Sequence, residues 1–375
     1  MTKFDTLFFP HDHKSTHLKS LDGLRGLAVL FVLLSHTSNA GMYIHKSLDF
    51  QRIGKVGVYL FFVLSAYLLD RQIAIALRRE QAGLAYWKNY FLRRFLRIYP
   101  LFVIAVFFFG VFTLMGIPTV INQSKDIPLH LLLLRGENIF WSIPVEFKYY
   151  FLSPLLMWFC HRGLRWDRRK LLLALSGAVA VSVLAAVAFE LPSVSTFRYL
   201  PVFLVGTAVA IYELLAKKGS GQLSLPFVNW AGLLALGAIL LTIPTCFAFV
   251  FGVEVNFHHP VFYLPYALLW ALVLLSAKYG NGLLRRLLEV KILRFFGAIS
   301  FSMYLFHILF LKLVQQSNVP DHLQLYVFVL CTVLFSSASY LLIERPLSTV
   351  RLHSLERGAK ASSPTAGNGR DVGAA

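Results

Sequence analysis

The chain is a succession of long apolar runs separated by short polar stretches. The first run, "LDGLRGLAVLFVLLSH" at residues 21–36, is typical, because most of its side chains are hydrocarbon. A helix that spans a bilayer needs about 20 mostly apolar residues, and ten segments come close to that length. The pattern therefore predicts an all-α, polytopic membrane protein with about ten transmembrane helices. The predicted segments are 24–42, 55–70, 98–116, 142–160, 171–189, 199–215, 228–250, 259–277, 295–315 and 323–343.

The distribution of Lys and Arg predicts the orientation of these helices. Cytosolic loops of membrane proteins are enriched in both residues. With a cytosolic N-terminus, the segments predicted to face the cytosol carry 27 of the 36 Lys and Arg, and those predicted to face outside carry five. A missed or an additional helix would break this alternation. We therefore predict that both termini are cytosolic.

The composition fits a membrane protein better than a soluble one. Hydrophobic residues make up 57% of the chain and charged residues 14%, and the mean hydropathy is +0.65, too high for an ordinary soluble domain. A formal charge of +18 in a soluble protein would suggest nucleic acid, but here the basic residues follow the topology, so no nucleic-acid partner is predicted. The three cysteines are scattered in apolar surroundings, so neither a disulfide framework nor a zinc site is predicted.

The domain organisation follows from the same pattern. Residues 1–357 are predicted to form one integral membrane domain, and the small polar segment 358–375 a disordered cytosolic tail. The N-terminal stretch "HDHKSTH", 11–17, is interpreted as a solvated tail rather than a metal site. Segment 125–140 has an apolar core too short to span the bilayer, so it is predicted to be re-entrant or to lie along the external surface.

Two polar side chains stand in the first apolar run, where ionisable groups are costly and commonly functional. Arg25 and His36 are 11 residues apart, which at 100° per residue is three turns plus about 20°, so they share a helix face roughly 16 Å apart along the axis. Arg binds phosphate through paired hydrogen bonds, and His accepts protons near neutral pH. An interfacial positive charge is the alternative for Arg25, and a packed, hydrogen-bonded histidine is the weaker alternative for His36.

A cluster of arginines adjoins the third predicted segment, in "NYFLRRFLRIYP". Arg94 and Arg97 are three residues apart and therefore lie on one helix face. Together with Arg25 they are predicted to form a basic mouth at the cytosolic end. A solvated charge cluster is the alternative, and it describes Arg93 better than Arg97, which adjoins the apolar run.

Further polar groups are predicted at a similar depth in the bundle. Glu146, in "WSIPVEFKYY", lies about one turn below the external surface, near the depth of His36. Tyr304 and His307, in "ISFSMYLFH", fall within a few residues of that level, and Ser65 lies about a turn nearer the cytosol. A carboxylate at this depth needs a partner or a proton. Ordinary hydrogen bonding between helices remains an alternative for Ser65 and Tyr304.

Seven motifs follow one another along the chain. They are "LDGLRGLAVLFVLLSH", "GVYLFFVLSAYLL", "RRFLRIYPLF", "FWSIPVEFKYYFLSPLL", "FRYLPVFLVG", "ISFSMYLFH" and "ERP". In this order they resemble the membrane-bound acyltransferase 3 family, bacterial O-acyltransferases that modify cell-surface glycans. Two positions depart from the family pattern: Ala66 stands where glycine is usual after Ser65, and Lys148 places a cation beside the acidic element.

The resemblance implies a reaction and its participants. The donor is an acyl-CoA, usually acetyl-CoA, used from the cytosol as a co-substrate, with no permanently bound cofactor. The acceptor is a hydroxyl group of a lipid-linked or cell-envelope saccharide, for example of lipopolysaccharide or exopolysaccharide. The implied location is the bacterial cytoplasmic membrane, in contact with membrane lipids.

The resemblance also assigns roles to residues. His36 is the expected catalytic base, and Arg25, Arg94 and Arg97 are expected to bind acyl-CoA. Glu146 is expected to orient the imidazole or to bind the acceptor. The residues expected to bind the acceptor or the oxyanion are Ser65, Ser142, Tyr304 and His307. Direct transfer and a covalent acyl-histidine both remain open.

Two other classes of protein are weighed against an acyltransferase. A transporter or flippase would also line a path with polar groups, but it predicts inverted repeats and matching broken helices, and no such repeat is visible in the sequence. An inactive scaffold predicts that replacement of His36 leaves function intact. Which sugar hydroxyl is modified, the acyl group beyond a preference for acetyl, and the oligomeric state are not determined by the sequence.

Overall fold

The computed structural model describes residues 2–10, 12, 17–45, 49–117, 119–121, 123–216, 225–253, 255, 257 and 259–350. Within these ranges all regular elements are helical. The predicted tail, 358–375, lies outside the described residues. The α-helices are α1 Lys3–Phe8, α2 Lys19–Asn39, α3 Gly54–Arg78, α4 Leu84–Leu114, α5 Ile127–Leu131, α6 Ser142–Arg162, α7 Arg168–Ala188, α8 Thr196–Leu215, α9 Leu225–Leu241, α10 Pro244–Phe251, α11 Tyr263–Tyr279, α12 Leu283–Leu288, α13 Lys291–Ala298, α14 Ser300–Gln315, α15 Asp321–Ser339 and α16 Arg345–Thr349.

Four short segments of other helix types join these elements. Three are 3₁₀ helices, Ser124–Asp126, Asn138–Trp141 and Pro260–Phe262, and the fourth is a π-helical turn, Tyr340–Glu344, that connects α15 to α16. The second 3₁₀ helix leads directly into α6, and the third leads directly into α11.

The described helices confirm an all-α protein with several membrane-spanning segments. Six stretches are long and apolar enough to cross a bilayer: α3, α4, α7, α8, α11 with its preceding 3₁₀ turn, and α15 continued through α16. Two bent pairs, α9 with α10 and α13 with α14, raise the number to eight if each pair is one crossing. The remaining predicted segments correspond to α2 and α6, which have 21 residues each but are less apolar because they carry ionisable groups. The count of ten and the orientation stay predictions.

Two segments predicted as single helices are broken instead. Segment 228–250 bends by 90° between α9 and α10, where Pro244 begins the second helix and cannot continue the hydrogen-bonding ladder of the first. Segment 295–315 bends by 77° at Ile299, between α13 and α14. In both cases hydropathy detects the apolar run but not its change of direction.

Helix α2 crosses α13 at very short range, and this crossing depends on glycine. An added Cβ on Gly26 would lie 1.9 Å from the carbonyl oxygen of Leu293, and one on Gly297 would lie 1.9 Å from that of Asp22. Neither contact leaves room for any side chain. The backbones therefore touch, and α2 is fixed in the centre of the bundle with α3, α13 and α14 around it.

A buried carboxylate joins α3, α6 and α8. Asp70 is fully buried, and it accepts hydrogen bonds from the hydroxyl groups of Tyr149, Ser153 and Thr207. An added Cβ on Gly206 would come within 2.9 Å of the Cβ of Ala66. The alanine that replaces the usual glycine after Ser65 thus packs at a tight α3–α8 contact. These contacts hold α6, which carries Glu146, against α3.

The N-terminal stretch is not wholly a solvated tail. Asp12 and His17 are largely buried, and His17 Nε2 lies 2.7 Å from the Asp22 carboxylate. The guanidinium of Arg294 on α13 is 3% exposed and donates to Asp12. The prediction is therefore wrong for Asp12 and His17, because a buried cation on α13 binds this part of the chain. Residues 11 and 13–16 lie outside the described residues.

Segment 125–140 contains no spanning helix, in agreement with its short apolar core. It consists of the 3₁₀ turn Ser124–Asp126, the five-residue α5, and the start of the 3₁₀ helix that precedes α6. Tyr99 of α4 donates to the carbonyl oxygen of Leu131, which ties the segment to the bundle. The chain then enters α6 with Ser142 as its first residue.

Candidate active site

Helix α2 directs Arg25 and His36 into the interior of the bundle. The helix is unbroken from Lys19 to Asn39, so the predicted spacing of three turns holds. Each of the two side chains lines a cavity, and the two cavities differ. Arg25 lines one of them and His36 the other. The shared helix face predicted from the sequence is consistent with this arrangement.

The Arg25 cavity has a volume of about 60 Å³. The charged and polar side chains that line it come from five helices: Arg25, Ser65, Arg97, Ser142, Glu146, Ser300 and Tyr304. It is small beside typical ligand pockets of roughly 300 Å³ or more. The cavity thus has room for a narrow chain of atoms and not for a nucleotide.

The His36 cavity is larger, about 430 Å³. Its polar and charged lining residues are Ser35, His36, Asn39, Arg52, Lys55, Asn138, Ser193, Tyr199 and Tyr304. Tyr304 and Val58 line both cavities. The two cavities are therefore neighbours, separated in part by these two side chains.

Glu146 is held by hydroxyl groups rather than by a cation. Ser65 of α3 and Tyr150, one turn further along α6, both donate to its Oε1, the latter at 2.8 Å. Arg25 and Arg97 line the same cavity, but none of the ion pairs among the described residues includes Glu146. The sequence identified Glu146 and Ser65 as candidate site residues but missed Tyr150. The signal for it was the four-residue spacing on α6, which places both side chains on one face.

Tyr304 belongs to a short hydrogen-bond chain at the boundary of the cavities. Its hydroxyl donates to the carbonyl oxygen of Ile139 at 2.6 Å and accepts from Ser142 Oγ at 2.7 Å. The Ser65 proton is likewise given to Glu146. Both side chains predicted to donate to an oxyanion thus have their protons engaged in this structure. Either would have to exchange its partner before it stabilised a developing negative charge.

His307 lies beside His36, with ring centroids 5.0 Å apart. It is fully buried, and its Nδ1 lies 2.8 and 3.1 Å from the carbonyl oxygens of Tyr304 and Met303. Because carbonyls only accept, Nδ1 carries the proton, and Nε2 is left without a partner. His307 lines neither cavity. Its position next to the imidazole of His36, rather than in a cavity wall, separates it from the other predicted acceptor-binding residues.

The predicted basic mouth is only partly assembled around the Arg25 cavity. Helix α4 begins at Leu84, so Arg94 and Arg97 stand inside a continuous helix, three residues apart as predicted. Arg97 lines the cavity, whereas Arg94 does not. The Arg94 guanidinium lies 5.9 Å from the centre of the Tyr90 ring, and its buried Nε has no partner.

Two further features bear on the prediction of the site. Lys148 is exposed and donates to the carbonyl oxygen of Val194, away from Glu146, as its helical spacing predicted. Asp12, His17 and Asp22 bring atoms of metal-binding type within 4.8 Å of one another. The Arg294 guanidinium already donates to Asp12, so these carboxylates have a positive partner from the chain itself.

Comparisons with known proteins agree with the motifs. A family model described as an acyltransferase domain matches residues 18–344. The chain is 24% identical to the O-acetyltransferase OatA of Staphylococcus aureus strain NCTC 8325 over 368 residues, which cover 88% of this chain and 57% of the relative. It is 21% identical to a putative O-acetyltransferase of strain COL, with 89% and 58% coverage. The chain thus spans less than two thirds of the length of these relatives. No solved structure matches it.

Proposed function

This chain belongs to the acyltransferase domain family, and on that basis we propose that it transfers an acyl group, preferentially acetyl, from acyl-CoA to a hydroxyl group of a lipid-linked or cell-envelope saccharide. The proposed location is the bacterial cytoplasmic membrane. Several apolar helices and the named O-acetyltransferase relatives support this assignment. The transporter alternative has no comparable support.

The observation that carries the proposal is the pair of neighbouring cavities that share Tyr304 and Val58 in their linings. One is lined by Arg25 and Arg97, and the other by His36. A donor and an acceptor that enter from opposite ends would therefore meet near the middle of the bundle. Such a path lets a cytosolic donor modify a saccharide that never enters the cytosol.

The Arg25 cavity suits the narrow end of an acyl-CoA. Its volume excludes the nucleotide, so the phosphates would bind at its entrance, where guanidinium groups form charge-assisted hydrogen bonds. Arg25 and Arg97 are the candidates there, with Arg94 as a neighbour on α4. The acyl-pantetheine arm would extend toward Tyr304. Its thioester would then face the His36 cavity.

The proposed chemistry is attack by a hydroxyl group with general-base assistance. A neutral His36 removes the acceptor proton as the hydroxyl oxygen bonds to the thioester carbonyl carbon. The C–S bond then breaks, and the thiolate of CoA leaves and takes up the proton from the imidazolium. Glu146 keeps Ser65 and Tyr150 in place beside the path of the thioester. An acyl-histidine route would use the same groups, with the imidazole as nucleophile.

Acetyl transfer to envelope saccharide tests this proposal. Membranes that contain the protein are incubated with labelled acetyl-CoA and saccharide extracted from the host envelope, and label in the saccharide is measured. His36→Ala should lower transfer by roughly 10²- to 10⁴-fold, the usual value of a general base. His322→Ala is the matched control, because His322 is exposed on α15. Equal labelling by parent and His36→Ala protein at equal membrane levels would refute the assignment.

A further inference from the structure

The His36 cavity carries positive charge without a matching negative group. Arg52 and Lys55 both line it, and none of its lining residues is Asp or Glu. Among the described residues, neither cation takes part in an ion pair or a side-chain hydrogen bond. A cavity lined by charges of one sign attracts ligands of the opposite sign.

The acidic residue closest in sequence to the cavity wall is already paired. Glu137 lies between Gly136 and Asn138, which both line the cavity. Its carboxylate nevertheless pairs with Arg135, Nη2 to Oε1 2.6 Å, and Asp126 pairs with the same guanidinium. The Glu137 carboxylate is thus paired with Arg135 and does not line the cavity. Arg52 and Lys55, whose side chains are exposed, thus receive no carboxylate from this loop and are accessible to a ligand.

The backbone that carries the two exposed cations lies close to His36. Arg52 lies two residues before Gly54, the first residue of α3, and has a φ of 66°, a left-handed conformation that non-glycine residues seldom adopt. At Gly54 the backbone of α3 touches α2, because an added Cβ would lie 3.1 Å from the Cβ of Ser35. Ser35 directly precedes His36. The start of α3 is therefore packed against the residue next to the proposed base.

From this geometry we propose that the acceptor saccharide is anionic, and that Arg52 and Lys55 bind its negative group while His36 faces the hydroxyl. The inference rests on the proposed function and specifies its acceptor. A carboxylate on an acidic sugar and a phosphate in a lipid-linked or phosphorylated saccharide have the chemistry that Arg and Lys bind. A neutral saccharide would offer these two exposed cations no charged partner.

The test compares charged and neutralised forms of one acceptor. The protein is placed in nanodiscs of zwitterionic phosphatidylcholine and given labelled acetyl-CoA with host envelope saccharide in three forms: untreated, reduced at its carboxyl groups, and dephosphorylated. The parent should lose about tenfold or more in kcat/KM with one of the neutralised forms. A loss with the carboxyl-reduced saccharide identifies a carboxylate as the bound group, and a loss with the dephosphorylated saccharide identifies a phosphate. Equal transfer to all three forms would overturn the proposal.

Variants test whether these two residues are responsible. Arg52→Gln with Lys55→Gln should raise KM for the untreated saccharide about tenfold, with little change in kcat, and should show no further loss with the neutralised form. Lys125→Gln is the control, because Lys125 is exposed and does not line the cavity. An unchanged KM in the double variant would overturn the proposal. So would a defect that appears only when anionic lipid is added, since that result would assign the cations to lipid headgroups.

The outcomes separate this inference from the function on which it rests. The affinity of the nanodisc protein for CoA, measured by calorimetry, should be unchanged in Arg52→Gln with Lys55→Gln, because the donor is proposed to bind at Arg25. If the parent transfers label to none of the three forms, the proposed function fails, and this inference fails with it. If the parent labels neutral and charged forms equally, only the anionic acceptor is refuted.

Discussion

The imidazole rings of His36 and His307 lie with their centroids 5.0 Å apart, at an interplanar angle of 57°. His307 gives its Nδ1 proton to backbone carbonyls and keeps a buried Nε2 lone pair without a partner. A rotation of His36 toward that lone pair would allow it to donate its own N–H. Its other nitrogen would then be free to accept a proton from the acceptor. This arrangement would fix the tautomer and the orientation of a neutral histidine base.

His307→Phe should therefore lower kcat and leave KM nearly unchanged. The phenyl ring fills the same space but removes the acceptor, and one hydrogen bond of roughly 1.4 kcal/mol corresponds to about tenfold in rate. The measurement is the kinetics of label transfer from acetyl-CoA. His307→Gln retains an acceptor atom and should recover part of the rate. If the two variants are equally impaired and both lose protein from the membrane, His307 acts through packing alone.

Loss of the cations at the Arg25 cavity should weaken donor binding. Replacement of Arg25 or Arg97 by Gln removes a charged hydrogen-bond donor worth roughly 1.5–3 kcal/mol, so the Kd for CoA should rise about 10- to 150-fold. Calorimetry on detergent-solubilised protein measures this. Arg93→Gln is the control, because Arg93 donates to the Asn89 carbonyl on its own helix and does not line the cavity. Equal Kd values for all three variants would contradict a donor site here.

Glu146 and Ser65 should behave as one unit. Because Ser65 donates to Glu146, Glu146→Gln removes the charge that holds that hydroxyl, and we expect a fall of about tenfold in kcat. Ser65→Ala added to Glu146→Gln should then cost little more, since groups in one network are not additive. The four kcat values of this double-mutant cycle are the measurement. Additive losses would mean that the two side chains act separately.

The sequence predicted those parts of the site that depend on helical geometry. The spacing of Arg25 and His36 follows from 3.6 residues per turn, and the structure keeps both on one unbroken α2. Counting residues from the helix ends placed Ser65 within about one turn of Glu146, and the two side chains are in contact. Ser142 was identified by family resemblance alone. Helical periodicity does not predict its contact with Tyr304, because the two residues lie on different helices.

The parts that could not be predicted depend on contacts distant in sequence. The bend at Ile299 decides where α14 runs, and it places His307 against His36. Hydropathy cannot reveal that bend, because both sides of it are apolar. A sequence also does not show to which acceptor each hydroxyl group donates its hydrogen bond. Only the structure shows that the Tyr304 hydroxyl donates to the carbonyl oxygen of Ile139, so its proton is already used in a hydrogen bond.

The cytosolic location of both termini remains a prediction that chemical labelling can test. In a background with Cys160, Cys246 and Cys331 replaced by Ser, Lys125→Cys should react with an impermeant maleimide on intact cells, and Arg286→Cys should not. Both positions are exposed in the structure, so accessibility differs only by membrane side. Both should react after the cells are permeabilised. Labelling of Arg286→Cys in intact cells would reverse the predicted orientation.

The crossing of α2 over α13 should be highly sensitive to any added side chain. Gly26→Ala places a Cβ 1.9 Å from the Leu293 carbonyl oxygen, and Gly297→Ala places one equally close to that of Asp22. Both partners are backbone, so the helices must separate. Overpacking of this kind costs roughly 1–3 kcal/mol, and we expect the melting temperature of the detergent-solubilised protein to fall in either variant.

Gly177 on α7 provides the matched control for this effect. An added Cβ there meets nothing within 4 Å. Gly177→Ala should therefore be neutral or slightly stabilising, by about 0.5–1 kcal/mol, because alanine favours the helix. Thermal unfolding followed by fluorescence-detected gel filtration compares the three variants. An unchanged melting temperature in Gly26→Ala would show that α2 and α13 do not touch, and the position of Arg25 and His36 in the bundle would then need a different explanation.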